Sequence, residues 1–400
     1  MRVAMGGQNF HVKGGSDRVL VDEVALLRDK GHDVAPFCAS SADDLPTEWA
    51  GFFPRKTAGF MNPGLVDVAR YLYCLDAKRA VKRFVRAFRP DVFHLHIYYG
   101  KLTVSILSEI ESVGVPIVQT MHEFKAVCPT YQLLSNGIAC EKCTGFRYYN
   151  AALNRCNRNS LSRSIVSTVE SYLSLWGGSI SKIDRFIAVS DFQAGKVAAM
   201  GVPRNRITTV HNFVDTGSLE PCFRKGAYFI YFGRLEAVKG VWPLIRAFEE
   251  LSGERLVIVG DGSERAALER YCEQRRMKNV VFMGFRDRRE LGDLVRASIA
   301  SIVPSIGTET FGLSAAESLS YGKPVIASRI GGLPEVVCDD EDAILVEPGD
   351  VAQLKAAVRR LSSSRAMAES MGRTGRANVE RKFSRDEHYR KLMAVYRSVS

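Results

Sequence analysis

Two glutamates eight positions apart, Glu309 and Glu317, flank the run Thr310-Phe311-Gly312-Leu313. This run leaves an apolar, strand-like segment and enters a helical pattern that begins near Ser314. A helix N-terminus offers unpaired N–H groups to an anion, and Gly312 lets the backbone approach a phosphate closely. One carboxylate then sits in the loop and the other inside the helix, both able to accept hydrogen bonds from vicinal hydroxyls such as those of a sugar. Taken in isolation, Glu309 reads as a charge at a helix N-terminus and Glu317 as a solvated helix residue. A second segment, Phe232-Gly233-Arg234-Leu235-Glu236-Ala237-Val238-Lys239-Gly240, gives them a context. Arg234 and Lys239 directly follow an apolar strand, and two cations in a glycine-bearing strand-to-helix turn suit a diphosphate, whose departing charge they offset. Most arginines and lysines are surface charges, and that is the plain alternative for these two.

The N-terminal half carries weaker signals. Gly14-Gly15 follows the first strand and opens a helix, so its amides could approach a phosphate or a second substrate. Val92-Phe93-His94-Leu95-His96 and Thr120-Met121-His122-Glu123 end two later strands and bring imidazoles there. A lone histidine at a strand end is more often structural. Cys128, Cys140, Cys143 and Cys156 lie in a loop-like stretch rich in Asn, Gly and basic residues, with a close Cys-x-x-Cys pair between two outer thiols. That spacing suits a tetrahedral structural zinc, which would order a long insertion without periodicity. Free thiols, a redox pair at Cys140 and Cys143, and an iron–sulfur cluster are the alternatives.

Short apolar runs alternate with longer amphipathic segments, the pattern of a parallel sheet covered by helices on both faces. Strands are expected at Arg2–Met5, Asp33–Cys38, Val92–Leu95, Pro116–Thr120 and Arg185–Ala188. A second cycle is expected at Tyr228–Phe232, Arg255–Val259, Val280–Met283, Ala300–Pro304, Pro324–Ala327 and Ala343–Val346. Helices are expected at Ser16–Lys30 and Asp76–Phe88. Ligands of open parallel sheets bind beyond the carboxyl ends of the strands, which is where each residue above lies. The reading is therefore α/β, with two doubly wound Rossmann-like domains. The turn-rich stretch 215–226 divides residues 1–215 from 216–385, the cysteine-bearing insertion falls near 124–160, and 386–400 forms a C-terminal helix that could pack back on the N-terminal domain.

A chain of 400 residues exceeds the size at which a single core stops growing, and 46% hydrophobic residues can fill two cores. The formal charge of +11 admits nucleic acid, an anionic membrane or a phosphorylated substrate. The excess is +6 over residues 1–200 and +5 over 201–400, so no basic arm exists and nucleic acid is not expected. No stretch reads as a membrane span or a signal peptide, which points to the cytoplasm. Lys78, Arg79, Lys82, Arg83, Arg86 and Arg89 line one side of the helix 76–89 opposite Val81, Phe84, Val85 and Phe88. Such a helix either lies on an anionic surface at the inner membrane face or covers a sheet with a solvated basic side.

The run FGRLEAVKG, then VGDGSE from Val259, VVFMGF from Val280, the glutamate pair and GGLPEVV resemble, in order, the C-terminal half of retaining glycosyltransferases of family 4. The resemblance spans about 200 residues, extends more loosely to the first half, and includes a branch with a four-cysteine insertion. It implies the GT-B fold, with the two domains facing each other across a cleft. It implies that Arg234 and Lys239 hold the diphosphate of a nucleoside diphosphate sugar, that Glu309 meets the sugar hydroxyls and that Glu317 meets the ribose. Gly14, Gly15, Phe311, Gly312 and Leu313 would complete the donor site, residues near Gly284–Arg286 would lie by the base, and His122 would lie near the reacting centre with His96 behind it in rank. The acceptor would be a saccharide or a lipid-linked saccharide, as in bacterial polysaccharide or glycolipid synthesis. No cofactor is expected for catalysis. A nucleotide-sugar epimerase of the same fold and a non-catalytic zinc-containing module are the alternatives.

Overall fold

The computed structural model describes residues 1–59, 63–135, 137–224 and 226–399. Asn136 in the cysteine-bearing insertion and Lys225 in the expected boundary stretch lie outside the described residues. The chain forms two compact units, the first comprising Met1–His211 and the residues from His388 on, the second Asn212–Glu387.

Strands of the first unit are β1 (Arg2–Gly7), β2 (Asp33–Cys38), β3 (Val92–Leu95), β4 (Ile117–Met121), the hairpin pair β5 (Leu134–Ser135) and β6 (Ile138–Ala139), β7 (Arg185–Ala188) and β8 (Ile207–Thr209). Those of the second are β9 (Phe229–Phe232), β10 (Leu256–Val259), β11 (Val280–Gly284), β12 (Ala300–Val303), β13 (Val325–Ser328) and β14 (Ala343–Val346). Two six-stranded sheets result, ordered β2-β1-β3-β4-β7-β8 and β11-β10-β9-β12-β13-β14, and every pairing in them is parallel. Each strand expected from sequence is present, with ends shifted by a residue or two. β4 and β13 begin after Pro116 and Pro324, because proline has no N–H to give to a ladder. β8 was not anticipated; it is a three-residue edge strand whose two threonines break the apolar run.

Side chains alternate between the faces of a strand, and both faces of each sheet are apolar. In β1, Ala4 packs on one side with Ala77, Val81, Phe84 and Phe88 of the helix Leu75–Phe88. Val3 and Met5 pack on the other side with Leu20, Val24 and Leu27 of the helix Gly15–Asp29 and with Leu392, Val395 and Tyr396 of the last helix, Arg385–Arg397. In β9, Phe229 and Tyr231 face Leu244, Ile245 and Phe248 of the helix Val241–Glu249, while Ile230 faces Val295. The period-two alternation of apolar residues is thus spent on two helical layers in each unit. Among the described residues no helix is long and apolar enough to cross a membrane.

Candidate active site

In the second unit the strand order reverses between β9 and β12, and the loops leaving these two strands diverge from one place. The loop after β9 carries Arg234 and Lys239; the loop after β12 carries Ser305 and Glu309. Lys239 Nζ lies 2.6 Å from Glu309 Oε1, and Ser305 Oγ donates to the same oxygen at 2.5 Å. Seventy residues of sequence separate that lysine and that carboxylate. Gly240 makes the approach of the loops feasible. Its φ is +70°, and a Cβ there would stand 1.8 Å from the carbonyl oxygen of Pro304. The backbone of Glu309 is seated in turn by Gly332, whose N–H donates to its carbonyl at 2.9 Å.

Burial pushes the Glu309 carboxyl upward, but the Lys239 ammonium, the Ser305 hydroxyl and Arg234 outweigh it and hold the group below the usual carboxylate range. Glu309 is therefore an anion at neutral pH, with its side chain 14% exposed. Arg234 is exposed, and its carbonyl accepts the Tyr231 hydroxyl at 2.7 Å, which ties the loop to the end of β9. Gly312 caps the helix Leu313–Ser320 with φ +109°, a conformation glycine adopts without strain. A Cβ there would also meet Leu333 Cδ2 at 2.5 Å. Phe311 is buried edge-on against Phe383, Leu313 is half-buried at the first helical position, and Glu317 is half-buried one turn further on. Gly284 ends β11, and Phe285 beside it is 74% exposed. The structure thus gathers Lys239, Ser305 and Glu309 at the switch point, with cationic, anionic and hydroxyl groups together in the loops that leave β9 and β12.

In the first unit Gly14 is the extended cap of the helix Gly15–Asp29, with no side-chain hydrogen bond to the first turn and open space where a Cβ would be. His122 follows β4, and its Nε2 lies 2.7 Å from Nδ1 of His96. Sequence reasoning missed what stands behind this pair. Glu23 of the helix Gly15–Asp29 is 1% exposed, with Oε2 3.4 Å from His96 Nε2 and 3.5 Å from His94 Nδ1, and Oε1 3.1 Å from His388 Nε2. A signal was present: Glu23 falls in the apolar stripe Val19, Leu20, Val24, Leu27, where a carboxylate has no reason to be unless something pairs with it. Ligand atoms of Glu23, His94 and His96 come within 4.8 Å of one another, the spacing of a metal site. His94, however, commits Nδ1 to the Tyr396 hydroxyl at 2.8 Å and Nε2 to Thr120 Oγ1 at 2.7 Å. Burial and the neighbouring His96 hold His94 down to about 3, so it is neutral. The cluster is a hydrogen-bond network.

The four thiols share the insertion after His122. Cys128 and Cys143 are buried, Cys140 and Cys156 half-buried. Burial raises the Cys143 thiol to about 12, and Cys128, Cys140 and Cys156 each add to the rise, which places them around it. The donor set is chemically right for zinc. Among the described residues the sulfurs do not form a group of three within 4.8 Å of one another. Cys128 Sγ instead meets Thr130 Oγ1 at 3.5 Å and Cys156 Sγ meets Ser135 Oγ at 3.7 Å. The insertion is also anchored by protein contacts, with Lys125 paired to Glu170 in the interior and the Tyr148 hydroxyl on the Ala126 carbonyl at 2.6 Å. On the helix Leu75–Phe88 the apolar side is wholly in the core, and Lys78 and Lys82 reach Glu109 at 3.6 and 3.4 Å. The apolar side is therefore not available to enter lipid; only the basic side faces out.

Family models described as "Glycosyl transferases group 1" and "Glycosyltransferase Family 4" match residues 221–378 and 13–218. A glycogen synthase of Mycobacterium tuberculosis is 29% identical over 308 residues, covering 74% of this chain and 66% of that protein. A D-inositol 3-phosphate glycosyltransferase of Acidothermus cellulolyticus is 27% identical over 417 residues, covering 96% of this chain and 85% of that protein. The chain spans between 44% and 66% of the length of that glycogen synthase and of several other curated relatives it matches. The crystal structure of Anabaena HepE in complex with UDP and glucose superposes with a TM-score of 0.72 at 16% identity, covering 100% of both chains. The fold is accordingly GT-B, built from two Rossmann-like parallel-sheet domains.

Proposed function

Because the chain belongs to Glycosyltransferase Family 4, we propose that it is a retaining glycosyltransferase. It moves a sugar from a nucleoside diphosphate sugar to a saccharide or lipid-linked saccharide acceptor. The observation that carries this reading is the contact of Lys239 and Ser305 with Glu309 at the switch point of the second unit, beside the Gly312 helix cap. Lys239 and Arg234 offset the charge of the departing diphosphate, and the backbone N–H groups at Gly312 and Leu313 add to this as a helix N-terminus does. Glu309 accepts hydrogen bonds from sugar hydroxyls, and Glu317 from the ribose. His122, with Gly14 and Gly15, belongs to the first unit's contribution to the reaction.

Retention follows from a front-face route. The bond from the anomeric carbon to the phosphate oxygen breaks, the acceptor oxygen bonds to that carbon on the same face, and the acceptor proton passes to the leaving phosphate. A double displacement would need a carboxylate nucleophile. Glu309 is engaged by two donors through one oxygen, which suits orientation of hydroxyls better than attack. The step needs no cofactor, since two cations and a helix N-terminus carry the charge. Four thiolates of Cys128, Cys140, Cys143 and Cys156 would hold a structural zinc, apart from the chemistry. The exposed basic side of the helix Leu75–Phe88 would bring the enzyme to an anionic inner membrane face by charge alone.

Incubation with a panel of sugar nucleotides tests the reading. Slow release of nucleoside diphosphate, with an acceptor product whose anomeric configuration by NMR matches the donor, is the expected result. Interconversion of donor sugars without diphosphate release would instead make the protein an epimerase. Binding of neither donor nor diphosphate would refute the assignment.

A further inference from the structure

We propose that Glu23 is a positioning residue for the transfer reaction, fixing through His96 the tautomer and orientation of His122. The inference rests on the reading that places His122 beside the reacting centre. Glu23 is enclosed, and the groups that face it are His94 and His96 from β3 and the loop after it, His388 and Tyr396 from the last helix, and beyond His96 the ring of His122. Burial disfavours the carboxylate, yet the facing histidines, His96 foremost, hold Glu23 well below the usual carboxylate range. Glu23 is thus an anion that can only accept hydrogen bonds.

His388 sets one end of the network. Its Nδ1 lies 2.8 Å from the carbonyl oxygen of His211, and its Nε2 lies 3.1 Å from Glu23 Oε1. Both neighbours are acceptors, so the ring is held between them and closes that side of Glu23. The second carboxylate oxygen, Oε2, and His96 Nε2 are buried, and neither makes a closer hydrogen bond among the described residues. They face each other at 3.4 Å, and a bare ring nitrogen set against a carboxylate would be repulsive. His96 therefore carries hydrogen on Nε2, an arrangement that turns Nδ1 toward His122. Nδ1 of His96 and Nε2 of His122 stand 2.7 Å apart, so one hydrogen is held between the two rings. The two ring planes differ by only 15° with centroids 5.0 Å apart, so the rings meet nearly edge to edge and the shared hydrogen lies along an in-plane lone pair. Burial and the adjacent His96 hold His122 well below the usual imidazole range, so the ring is neutral at neutral pH and carries a single hydrogen. The arrangement has the logic of a catalytic imidazole oriented by a carboxylate, with one imidazole interposed.

The test uses the full-length protein with Glu23→Gln, Glu23→Asp, His96→Gln and His122→Ala. A glutamine amide both donates and accepts, so it no longer dictates the tautomer of His96. For Glu23→Gln and His96→Gln we expect kcat to fall roughly 10- to 100-fold while the donor KM stays within about twofold. Glu23→Asp keeps the anion and should retain more of kcat than Glu23→Gln. Nitrogen-15 spectra of histidine-labelled protein should show His122 in a single tautomer in the wild type and in a mixture in both glutamine variants. His96→Gln leaves Glu23 paired with His388, so it serves where Glu23→Gln does not fold. An unchanged kcat in folded Glu23→Gln or His96→Gln, or the same His122 tautomer in wild type and variants, overturns the proposal. Full activity of His122→Ala would remove His122 from the reacting centre and with it the kinetic consequence, while the spectra still decide the hydrogen-bond relay itself.

Discussion

Replacing Lys239 by methionine takes one of two donors from Glu309 Oε1, the one at 2.6 Å. Breaking a fully buried ion pair costs about 3–5 kcal/mol, and an exposed pair contributes about 0–1 kcal/mol. Here the side chains are 26% and 14% exposed, so the loss of stability should lie between, at about 1–3 kcal/mol. Glu309→Gln leaves the ammonium without its anion but keeps an oxygen for Ser305, and about 1–2 kcal/mol is expected. The double variant strands neither charge. Its loss should therefore fall short of the sum of the singles by about 1 kcal/mol or more. Urea unfolding of the four proteins measures the cycle, after a check that each unfolds in the same cooperative steps. Turnover is a separate readout: if Lys239 offsets the charge of the departing diphosphate, Lys239→Met should lose roughly 10²- to 10³-fold in kcat. Stability effects that add within about 0.5 kcal/mol would refute the pair as a coupled unit, and wild-type turnover would refute its role in the chemistry.

Acid should reveal the same pair through linkage. The Glu309 carboxyl is depressed in the folded state, so its contribution is present above the unfolded value of about 4.3 and is lost as pH falls through the lower folded value. The stability gap between wild type and Glu309→Gln should be full at neutral pH and narrow below about pH 4; a gap independent of pH would contradict the ion pair. Gly240→Ala puts a Cβ 1.8 Å from the Pro304 carbonyl at a φ of +70°, and should cost upward of about 2 kcal/mol and lower kcat by displacing Lys239. Metal analysis should find about one zinc per chain, lost in Cys140→Ser; metal-free protein of full stability would reject the site. Sedimentation with anionic vesicles should weaken with added salt and in the Arg83→Glu, Arg86→Glu variant, and wild-type protein that ignores such vesicles would remove the membrane reading.

The parallel sheets were legible because a strand buried on both faces must be an unbroken apolar run, as in Leu256-Val257-Ile258-Val259. Edge elements were not: Ile207–Thr209 and the two-residue strands of the insertion bury too little to leave a periodic trace. Arg234, Lys239 and Glu309 stood out as candidates from their places after strands. That Lys239 grips Glu309 could not be read, since the contact depends on the order of strands in the sheet and on the close approach at Gly240. The carboxylate Glu23 was legible in principle as a charge on an apolar stripe. Its partners were not, because β3 and the last helix bring His94, His96 and His388 to it from distances of 71 to 365 residues.

The return of the chain to its first unit after Glu387 has a consequence for how the protein is made. Leu392, Val395 and Tyr396, all within 3% of full burial, complete the apolar layer against Val3, Met5 and Leu20. His388 likewise comes from this helix to Glu23, its Nε2 3.1 Å from Oε1. A ribosome therefore delivers the whole second unit before the first has its last helix. The second unit, though synthesised later, has all its residues first, and the sheet begun at Arg2 waits for Arg385–Arg397 to close its core and to enclose its buried carboxylate.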